Sequence, residues 1–468
     1  MIIKKILFYL FASFTLLIPA FYNGYPLVYS DTGSYIASGM DLVIPQDRPI
    51  MYGLFIRFFS LDFSLWVVVF AQSLIVSYIL WHIMKACCKG SSKKLFLIII
   101  ALLSSFTGLG WYSSQIMPDI FTTTTVCSLF LLTFRNDFKI HQIIIFSIVL
   151  LFSINAHFSN YLIAVLTILL LFVITRTNFI PRAKQQLSFL LPIIIISLSI
   201  ATGSLVNYAV GSTFKINQGS HVFLMGKMLD SGVLKSFLDD KCKDDNYVLC
   251  SCKNSLPNTS RDLLWDPKSP LYQNGGWEAS QISFNKILLD IVTSPKHISL
   301  FIYNATISSI SQLLQNDVGS GLINAWYEDP ISPPYDQISK HFPFELNQYK
   351  QSRQIKNLWD QELDFSFINN VNHILLVFSA VLLFFIFFSK SKRKIIDIRT
   401  QLIIVTLLLA VLINAIVAGS LANVYDRLQS RISWTIIFCS VILILSKKEY
   451  LINKTEQILK KKTNPPLN

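Results

Sequence analysis

Long apolar runs recur along this chain, and short connectors between them carry most of its charge. A helix needs about 20 apolar residues to cross roughly 30 Å of hydrocarbon. Hydrophobic residues make up 52% of the sequence and charged residues only 14%, whereas soluble domains carry about 25% charged residues. The pattern predicts an all-α polytopic membrane protein and excludes a soluble enzyme with one anchor.

The positions of these runs predict about ten membrane-spanning helices. The first run could instead be a signal peptide, but it lacks a small-x-small cleavage site, so we predict an uncleaved span. The predicted spans are 6–22, 64–84, 95–112, 120–134, 141–156, 158–175, 187–209, 371–388, 401–419 and 432–446.

The net charge of +13 is concentrated in alternate connectors, for example 85–94, 176–184 and 390–399. Lysine and arginine in short connectors mark the cytoplasmic side of a membrane protein. The distribution therefore orients the chain, with both termini in the cytoplasm, and does not indicate a nucleic-acid partner. Its basic side chains are expected to contact anionic membrane lipids.

The same reasoning divides the chain into four parts. We predict an N-terminal membrane domain at 1–210, with about seven spans and a first outer loop at 23–63. A partly helical periplasmic loop domain follows at 211–370, where 14 Lys and Arg stand against 17 Asp and Glu. A C-terminal membrane domain with about three spans then occupies 371–446, and a basic cytoplasmic tail occupies 447–468.

Two short helices are predicted inside the loop domain, at 280–293 and 297–315. The second is moderately apolar, and we expect it to lie along the membrane interface. If it crossed the membrane instead, an odd number of spans would place the basic C-terminus outside.

Three cysteines of the loop domain, Cys242, Cys250 and Cys252, predict one disulfide in an oxidising compartment. Cys242 would pair with Cys250 or with Cys252, and one thiol would remain free. A metal site is less favoured because the nearby sequence offers no fourth ligand.

Asp31 follows the first span directly, within the sequence Asp-Thr-Gly-Ser-Tyr. A carboxylate at the mouth of a helix bundle can act as a general base or bind a divalent cation. The alternative is that Asp31 caps the next short helix. Tyr35, four residues on, would share a helical face with it.

Three arginines are predicted to lie on the same side of the membrane as Asp31. Arg48 precedes Pro49, and its planar guanidinium suits a phosphate, although it could instead reach lipid headgroups. Arg427 and Arg431 lie four residues apart and oppose the positive-inside trend. They bind either an anionic ligand or a carboxylate such as Asp31.

Two further residues lie in short turns on that side. Asp119 stands before a predicted helix, so it is either a helix cap or a functional acid near the membrane. His157 occupies a turn without charged neighbours, so it is either a simple turn residue or a hydrogen-bonding partner of a substrate.

The chain has no phosphate-binding Gly-Lys-Ser/Thr loop, no Gly-x-Ser-x-Gly and no His-Glu-x-x-His. ATPases, serine hydrolases and zinc proteases are therefore without support. Few ionisable residues fall within the predicted spans, which disfavours a proton-coupled transporter.

The layout resembles the integral-membrane GT-C glycosyltransferases, such as the protein mannosyltransferases and the lipid A aminoarabinose transferases. An acidic motif after the first span (Asp31 to Tyr35), an Arg-Pro pair (Arg48-Pro49), a second acid (Asp119) and a late arginine-containing loop (426–431) carry the resemblance. The chain departs from the pattern because its first loop has no Asp-x-Asp pair and its large loop precedes the last three spans.

The resemblance implies a bacterial inner-membrane enzyme that transfers a sugar from a polyprenyl-phosphate donor on the periplasmic face. Asp31 would be the catalytic base or a ligand of a divalent cation. The candidate substrate-binding residues are Tyr35, Arg48, Asp119, His157, Arg427 and Arg431. The alternatives are a polysaccharide polymerase or ligase, which shares the lipid-phosphate chemistry, and a non-enzymatic transporter or flippase of lipid-linked intermediates.

Overall fold

The computed structural model describes residues 2–88, 90–134, 138–177, 179–180, 183–243, 246–323, 325–356, 363–387, 389, 393 and 395–463. The structure is 76% helical and, within these ranges, has no β-strand. The end of the predicted basic tail, 464–468, lies outside the described residues.

The first half of the chain folds into twelve helices within the described ranges. They are α1 Ile2–Leu16, α2 Ile18–Asn23, α3 Thr32–Met40, α4 Met51–Ser60, α5 Leu65–Cys87, α6 Lys93–Phe106, α7 Gly108–Ser113, α8 Ile120–Thr133, α9 Ile140–Ala156, α10 Phe158–Thr175, α11 Ala183–Gln186 and α12 Leu190–Ala209.

Shorter helices dominate the region that follows, before three long ones close the chain. They are α13 Ser220–Asp230, α14 Val233–Lys241, α15 Ser260–Trp265, α16 Pro270–Gln273, α17 Gly276–Ala279, α18 Gln281–Thr293, α19 Pro295–Leu314, α20 Pro333–His341, α21 Leu346–Gln351, α22 Arg353–Lys356, α23 Ser366–Phe387, α24 Ile398–Leu421 and α25 Asp426–Thr463. Single 3₁₀ turns occupy Cys250–Ser255, Ala325–Glu328 and Pro343–Glu345.

Every predicted span falls on a helix, or on two consecutive helices, of the structure. Within the described residues, six helices are long and apolar enough to cross a membrane: α5, α10, α12, α23, α24 and the first 22 residues of α25. The helices α8 and α9 are apolar but shorter, at 14 and 17 residues. The fold is consistent with an all-α, multi-pass membrane protein.

Two of the predicted spans are each broken into two helices. The span at 6–22 is divided between α1 and α2, where Pro19 lies in the first turn of α2 and cannot donate a backbone hydrogen bond to α1. The span at 95–112 is divided between α6 and α7, because Thr107 is extended and its side chain accepts a hydrogen bond from the Leu109 N–H at 3.2 Å.

The core of the bundle surrounds α8, whose residues are all buried. A helix buried on every side has no face left for lipid, so its four successive threonines, Thr122 to Thr125, bond within the protein. Thr122 donates to Asn160, and Thr123 donates to the backbone carbonyl of Arg431. These bonds fix the start of α8 against α10 and α25.

The region 211–370 is shared among three hydrophobic cores, one of which joins Val318, Leu322, Leu363, Phe365 and Ile368 to Leu27 and Trp111. Residues from Val222 to Ile291 form a separate core among α13, α14, α15 and α18. Tyr327, Ile338 and Tyr349 belong instead to the core of the main bundle. The predicted helices at 280–293 and 297–315 are present as α18 and α19.

The predicted disulfide is present and joins Cys242 to Cys250. Cys252 is a free, half-buried thiol. The disulfide links the end of α14 to the start of the following 3₁₀ turn, so it closes a short loop at the edge of the separate core.

Residues 322–356 hold the segment that leads into α3. Glu345 accepts hydrogen bonds from the Tyr25 hydroxyl and from the Leu65 N–H at the start of α5, at 2.8 and 3.2 Å. Gln354 bonds to both the N–H and the carbonyl of Val28, and the Tyr327 hydroxyl accepts from the Ser30 N–H. These hydrogen bonds from a distant part of the chain therefore fix the backbone immediately before Asp31.

Glycines bring α3 and α4 into backbone contact. A Cβ atom at Gly39 would lie 1.9 Å from the Gly53 carbonyl oxygen, and one at Gly53 would lie 2.1 Å from Ser38 Oγ. The connector 41–50 returns toward the start of α3, where Arg48 donates to the Asp31 carbonyl at 3.2 Å. The close contact of the two helices thus places Arg48 beside Asp31.

Candidate functional site

Two acids and three arginines that are far apart in sequence meet at one end of the bundle. Asp31 precedes α3, Arg48 lies in the connector before α4, Asp119 precedes α8, and Arg427 and Arg431 lie in the first two turns of α25. Ion pairs of 4.0 Å or less link all five side chains. The structure therefore brings together the charged residues that the sequence singled out.

Asp31 lies between two guanidinium groups. Its two carboxylate oxygens are each 3.3 Å from a nitrogen, one of Arg48 and the other of Arg427. The residue occupies the position before α3, but its backbone is helical and its side chain makes no capping hydrogen bond. The capping interpretation of this carboxylate is wrong, because the arginines hold it instead, and 29% of the side chain is exposed.

Arg48 is fixed by three neighbours of different kinds. Its guanidinium pairs with Asp47, donates to the Asp31 carbonyl and lies over the Tyr35 ring, 5.2 Å from the centroid. Tyr35 is itself buried. An arginine with these partners is held inside the protein, so the alternative that Arg48 reaches lipid headgroups is not what the structure shows.

Asp119 and Arg431 form the buried part of the site. Their side chains are each 1% exposed, and Arg431 Nη1 lies 3.3 Å from Asp119 Oδ1. The other terminal nitrogen of Arg431 donates to Ser159 Oγ and to Asn414 Oδ1, at 3.1 and 2.9 Å. Asp119 makes no capping hydrogen bond either, so the capping interpretation of its side chain is wrong.

Arg427 connects the exposed acid to the buried one. It reaches Asp31 at 3.3 Å and Asp119 at 4.0 Å, and its guanidinium carbon lies 4.0 Å above the Tyr29 ring. Because α25 begins at Asp426, Arg427 and Arg431 lie one turn apart on the same helical face. Both arginines face carboxylates, which was one of the two interpretations of the sequence; the other was an anionic ligand.

His157 joins the site through Ser159. Its Nδ1 accepts a hydrogen bond from the Ser159 N–H at 3.2 Å, which caps α10, and lies 2.8 Å from Ser159 Oγ. The same hydroxyl accepts from Arg431. His157 is thus a helix-capping residue that also supports the hydroxyl beside Arg431.

The electrostatic environment fixes the charges of the titratable residues outside the spans. Burial alone would raise the pKa of Asp31, but the guanidinium groups of Arg48 and Arg427 hold it below its usual value. Burial, together with the positive charge of Arg431 and Arg427, lowers the pKa of His157 well below its usual value. At neutral pH, Asp31 is therefore ionised and His157 is neutral.

The N-terminal ends of four helices, α3, α8, α10 and α25, meet at this site through the contacts of Asp31, Asp119, Ser159 and Arg427. A helix N-terminus carries about half a positive charge from its peptide dipoles. This charge adds to that of the arginines and favours anions. A small crevice is lined by Pro49 and Phe158, the sequence neighbours of Arg48 and His157, but by none of the charged residues of the site.

Some residues of the site were not predicted from the sequence. Asp47 and Tyr29 lie close in sequence to predicted residues, and proximity was the only available signal. Asn414 is a polar residue within the apolar helix α24, and such residues are a recognisable sign of function or of helix contact. Ser159 lies in the turn that contains His157.

Among the described residues, no group of three or more His, Cys, Asp or Glu side chains is arranged to hold a metal ion. No family model matches the chain, and no curated protein or solved structure matches it either.

Proposed function

We propose that this protein is a GT-C-like glycosyltransferase of the bacterial inner membrane, which transfers a sugar from a polyprenyl-phosphate donor to an acceptor on the periplasmic face. The observation that carries the proposal is the partly exposed carboxylate of Asp31 between the guanidinium groups of Arg48 and Arg427. Such a site joins a proton acceptor to two groups that bind phosphate.

The chemistry of such a transfer matches these groups. The acceptor hydroxyl or amine attacks the anomeric carbon of the sugar while the bond from that carbon to the phosphate oxygen breaks. Asp31 takes the proton of the acceptor, and the bonding electron pair leaves on the phosphate. Arg48 and Arg427 stabilise the negative charge of the departing polyprenyl phosphate, because their charges are already in place.

The proposed orientation places the site outside the cytoplasm. About ten spans with both termini in the cytoplasm would put the end of the bundle that holds Asp31 in the periplasm, together with the loop domain at 211–370. The concentration of Lys and Arg in alternate connectors supports this arrangement. A lipid-linked donor would then reach the site from the outer leaflet.

The two arginines also supply the positive charge that a divalent cation would contribute. We therefore propose that leaving-group stabilisation depends on Arg48 and Arg427 and does not require a metal ion. A chelator would then leave the transfer rate unchanged.

The experiment that tests the function uses the full-length protein in vesicles made from a total extract of bacterial membranes, which supplies both polyprenyl-phosphate sugars and their acceptors. We expect the wild type to convert donor to free polyprenyl phosphate, measured by mass spectrometry. Asp31→Asn should reduce this conversion on the order of 100-fold or more, the usual effect of losing a general base. The matched control is Asp41→Asn, at the other end of α3, whose partners are Lys340 and His341 and not residues of the site.

A purely structural role for the charge network predicts a different result. In that case neither the wild type nor Asp31→Asn would release polyprenyl phosphate, and the variants would differ in stability alone. Conversion by the wild type with an unchanged rate in Asp31→Asn would remove Asp31 from the reaction. A polymerase or ligase would be distinguished by the size of the acceptor product.

A further inference from the structure

The charged side chains of the site form one row of ion pairs, in which carboxylates and guanidinium groups alternate. Three carboxylates balance three guanidinium groups, so the site contains no uncompensated arginine that could simply receive an anion. The order of the ions is Asp47, Arg48, Asp31, Arg427, Asp119 and Arg431.

At the buried end of this row, Asp119 and Arg431 form an ion pair that is difficult to separate. Arg431 and Asp119 are almost fully buried, and Arg431 has additional partners in Ser159 and Asn414. Removing a partner from such a pair leaves an uncompensated buried charge and is strongly unfavourable. An incoming anion therefore does not displace Asp119.

Asp31 is held differently. Both of its ion pairs are 3.3 Å long, the same length as the pair between Asp119 and Arg431, so exposure and not distance distinguishes Asp31. Its side chain is 29% exposed, compared with 14% for Asp47 and 1% for Asp119. Asp31 is thus the most exposed carboxylate in contact with these arginines, and the one that an incoming anion can reach.

We propose that the carboxylate of Asp31 occupies the anion site as an internal ligand, and that a phosphate headgroup binds by displacing it from Arg48 and Arg427. The proposal extends the function proposed above, but the exchange concerns phosphate and two arginines whether or not sugar transfer follows. Each guanidinium keeps an anionic partner throughout, so no arginine is left unpaired in a partly buried site.

The exchange also prepares the base. While Asp31 is paired with two arginines, it is a weak proton acceptor, since they lower its pKa. Once phosphate takes these arginines, the released carboxylate lies next to a second anion and its proton affinity rises. Donor binding would thereby activate the residue that accepts the proton of the acceptor.

The exchange predicts that removing the Asp31 carboxylate increases the affinity of the protein for phosphate. Full-length wild type and Asp31→Asn are titrated in detergent with inorganic phosphate and, separately, with a ten-carbon prenyl monophosphate. We expect Asp31→Asn to bind on the order of tenfold more tightly, because a competing charge-assisted interaction is lost. A gain with both probes indicates a site for free phosphate, whereas a gain with the prenyl probe alone indicates a lipid headgroup site.

The control Asp41→Asn should bind both probes like the wild type. Equal or weaker binding of both probes by Asp31→Asn would overturn the exchange. A gain of affinity without any donor turnover by the wild type would keep the exchange and reject glycosyl transfer, so the two proposals fail separately.

A second measurement requires no variant. Carbodiimide labelling of Asp31 in the wild type, read by peptide mass spectrometry, should become faster when phosphate is present, because the carboxylate is released. The label on Asp41 corrects for reagent consumed by phosphate. Slower labelling of Asp31 would mean that phosphate covers the carboxylate without displacing it, which contradicts the proposal.

Discussion

At the scale of single residues, the site combines a rigid buried pair with an exposed, exchangeable acid. Asp119 and Arg431 are almost fully buried, and Arg431 has additional partners in Ser159 and Asn414, whereas Asp31 is partly exposed between two arginines. The sequence allowed the charged residues in the turns to be singled out as candidates for the site. Their partners could not be predicted, because Asp31 and Arg427 are 396 positions apart and no local rule pairs them.

Arg431→Gln tests the buried pair. The variant leaves the carboxylate of Asp119 buried without its cation, and we expect it to lower the free energy of unfolding by about 3–5 kcal/mol. Unfolding by SDS in mixed micelles measures this change. The double variant Asp119→Asn with Arg431→Gln should lose less stability than the sum of the losses in the two single variants.

Arg57→Gln is the control for this measurement, since Arg57 is exposed and donates hydrogen bonds to backbone carbonyls. Additive losses would show that Asp119 and Arg431 do not interact.

His157→Asn tests the neutral histidine. The pKa of His157 is lowered in the folded protein, so below about pH 6.5 the unfolded chain binds a proton that the folded chain does not. Stability of the wild type therefore decreases as the pH falls through this range. Asparagine retains the capping function but does not titrate. Unfolding curves at pH 8 and pH 5 should diverge between the two proteins, and parallel curves would contradict the assignment.

At the scale of elements, helix starts and backbone contacts position the charges. The apolar runs predicted the long helices well, because hydrophobic length is a local property of the sequence. The breaks at Leu17 and Thr107 were not predicted, since each depends on one residue within an apolar run. The contact between α3 and α4 was not predicted either, because it depends on two glycines in different helices.

Gly39→Ala tests this contact. The added methyl group would lie 1.9 Å from the Gly53 carbonyl oxygen, so α3 and α4 must separate. We expect a loss of about 1–3 kcal/mol in stability and weaker phosphate binding, because the relative position of Asp31 and Arg48 changes. Ser34→Ala on the same helix should affect neither. Unchanged phosphate affinity in a folded Gly39→Ala protein would show that this contact does not position the site.

At the scale of the whole molecule, the region 322–356 ties the start of α3 to the bundle, and α25 supplies two of the three arginines. The fold class could be predicted from composition and the spacing of apolar runs, and the structure is consistent with it. The division of 211–370 among three cores could not, because Tyr327, Val222 and Val318 are all apolar residues that differ in what they pack against. The number of spans and their orientation stay predictions.

We expect the phosphate of a lipid-linked donor to bind between Arg48 and Arg427 in place of Asp31. A cryo-electron microscopy structure of the full-length protein with a non-hydrolysable polyprenyl-phosphate sugar tests it most directly. We predict phosphate density within hydrogen-bond distance of both guanidinium groups, with the Asp31 carboxylate turned away from them toward the acceptor side. Donor density elsewhere, with Asp31 still paired to Arg48 and Arg427, would contradict the proposed exchange of Asp31 for phosphate.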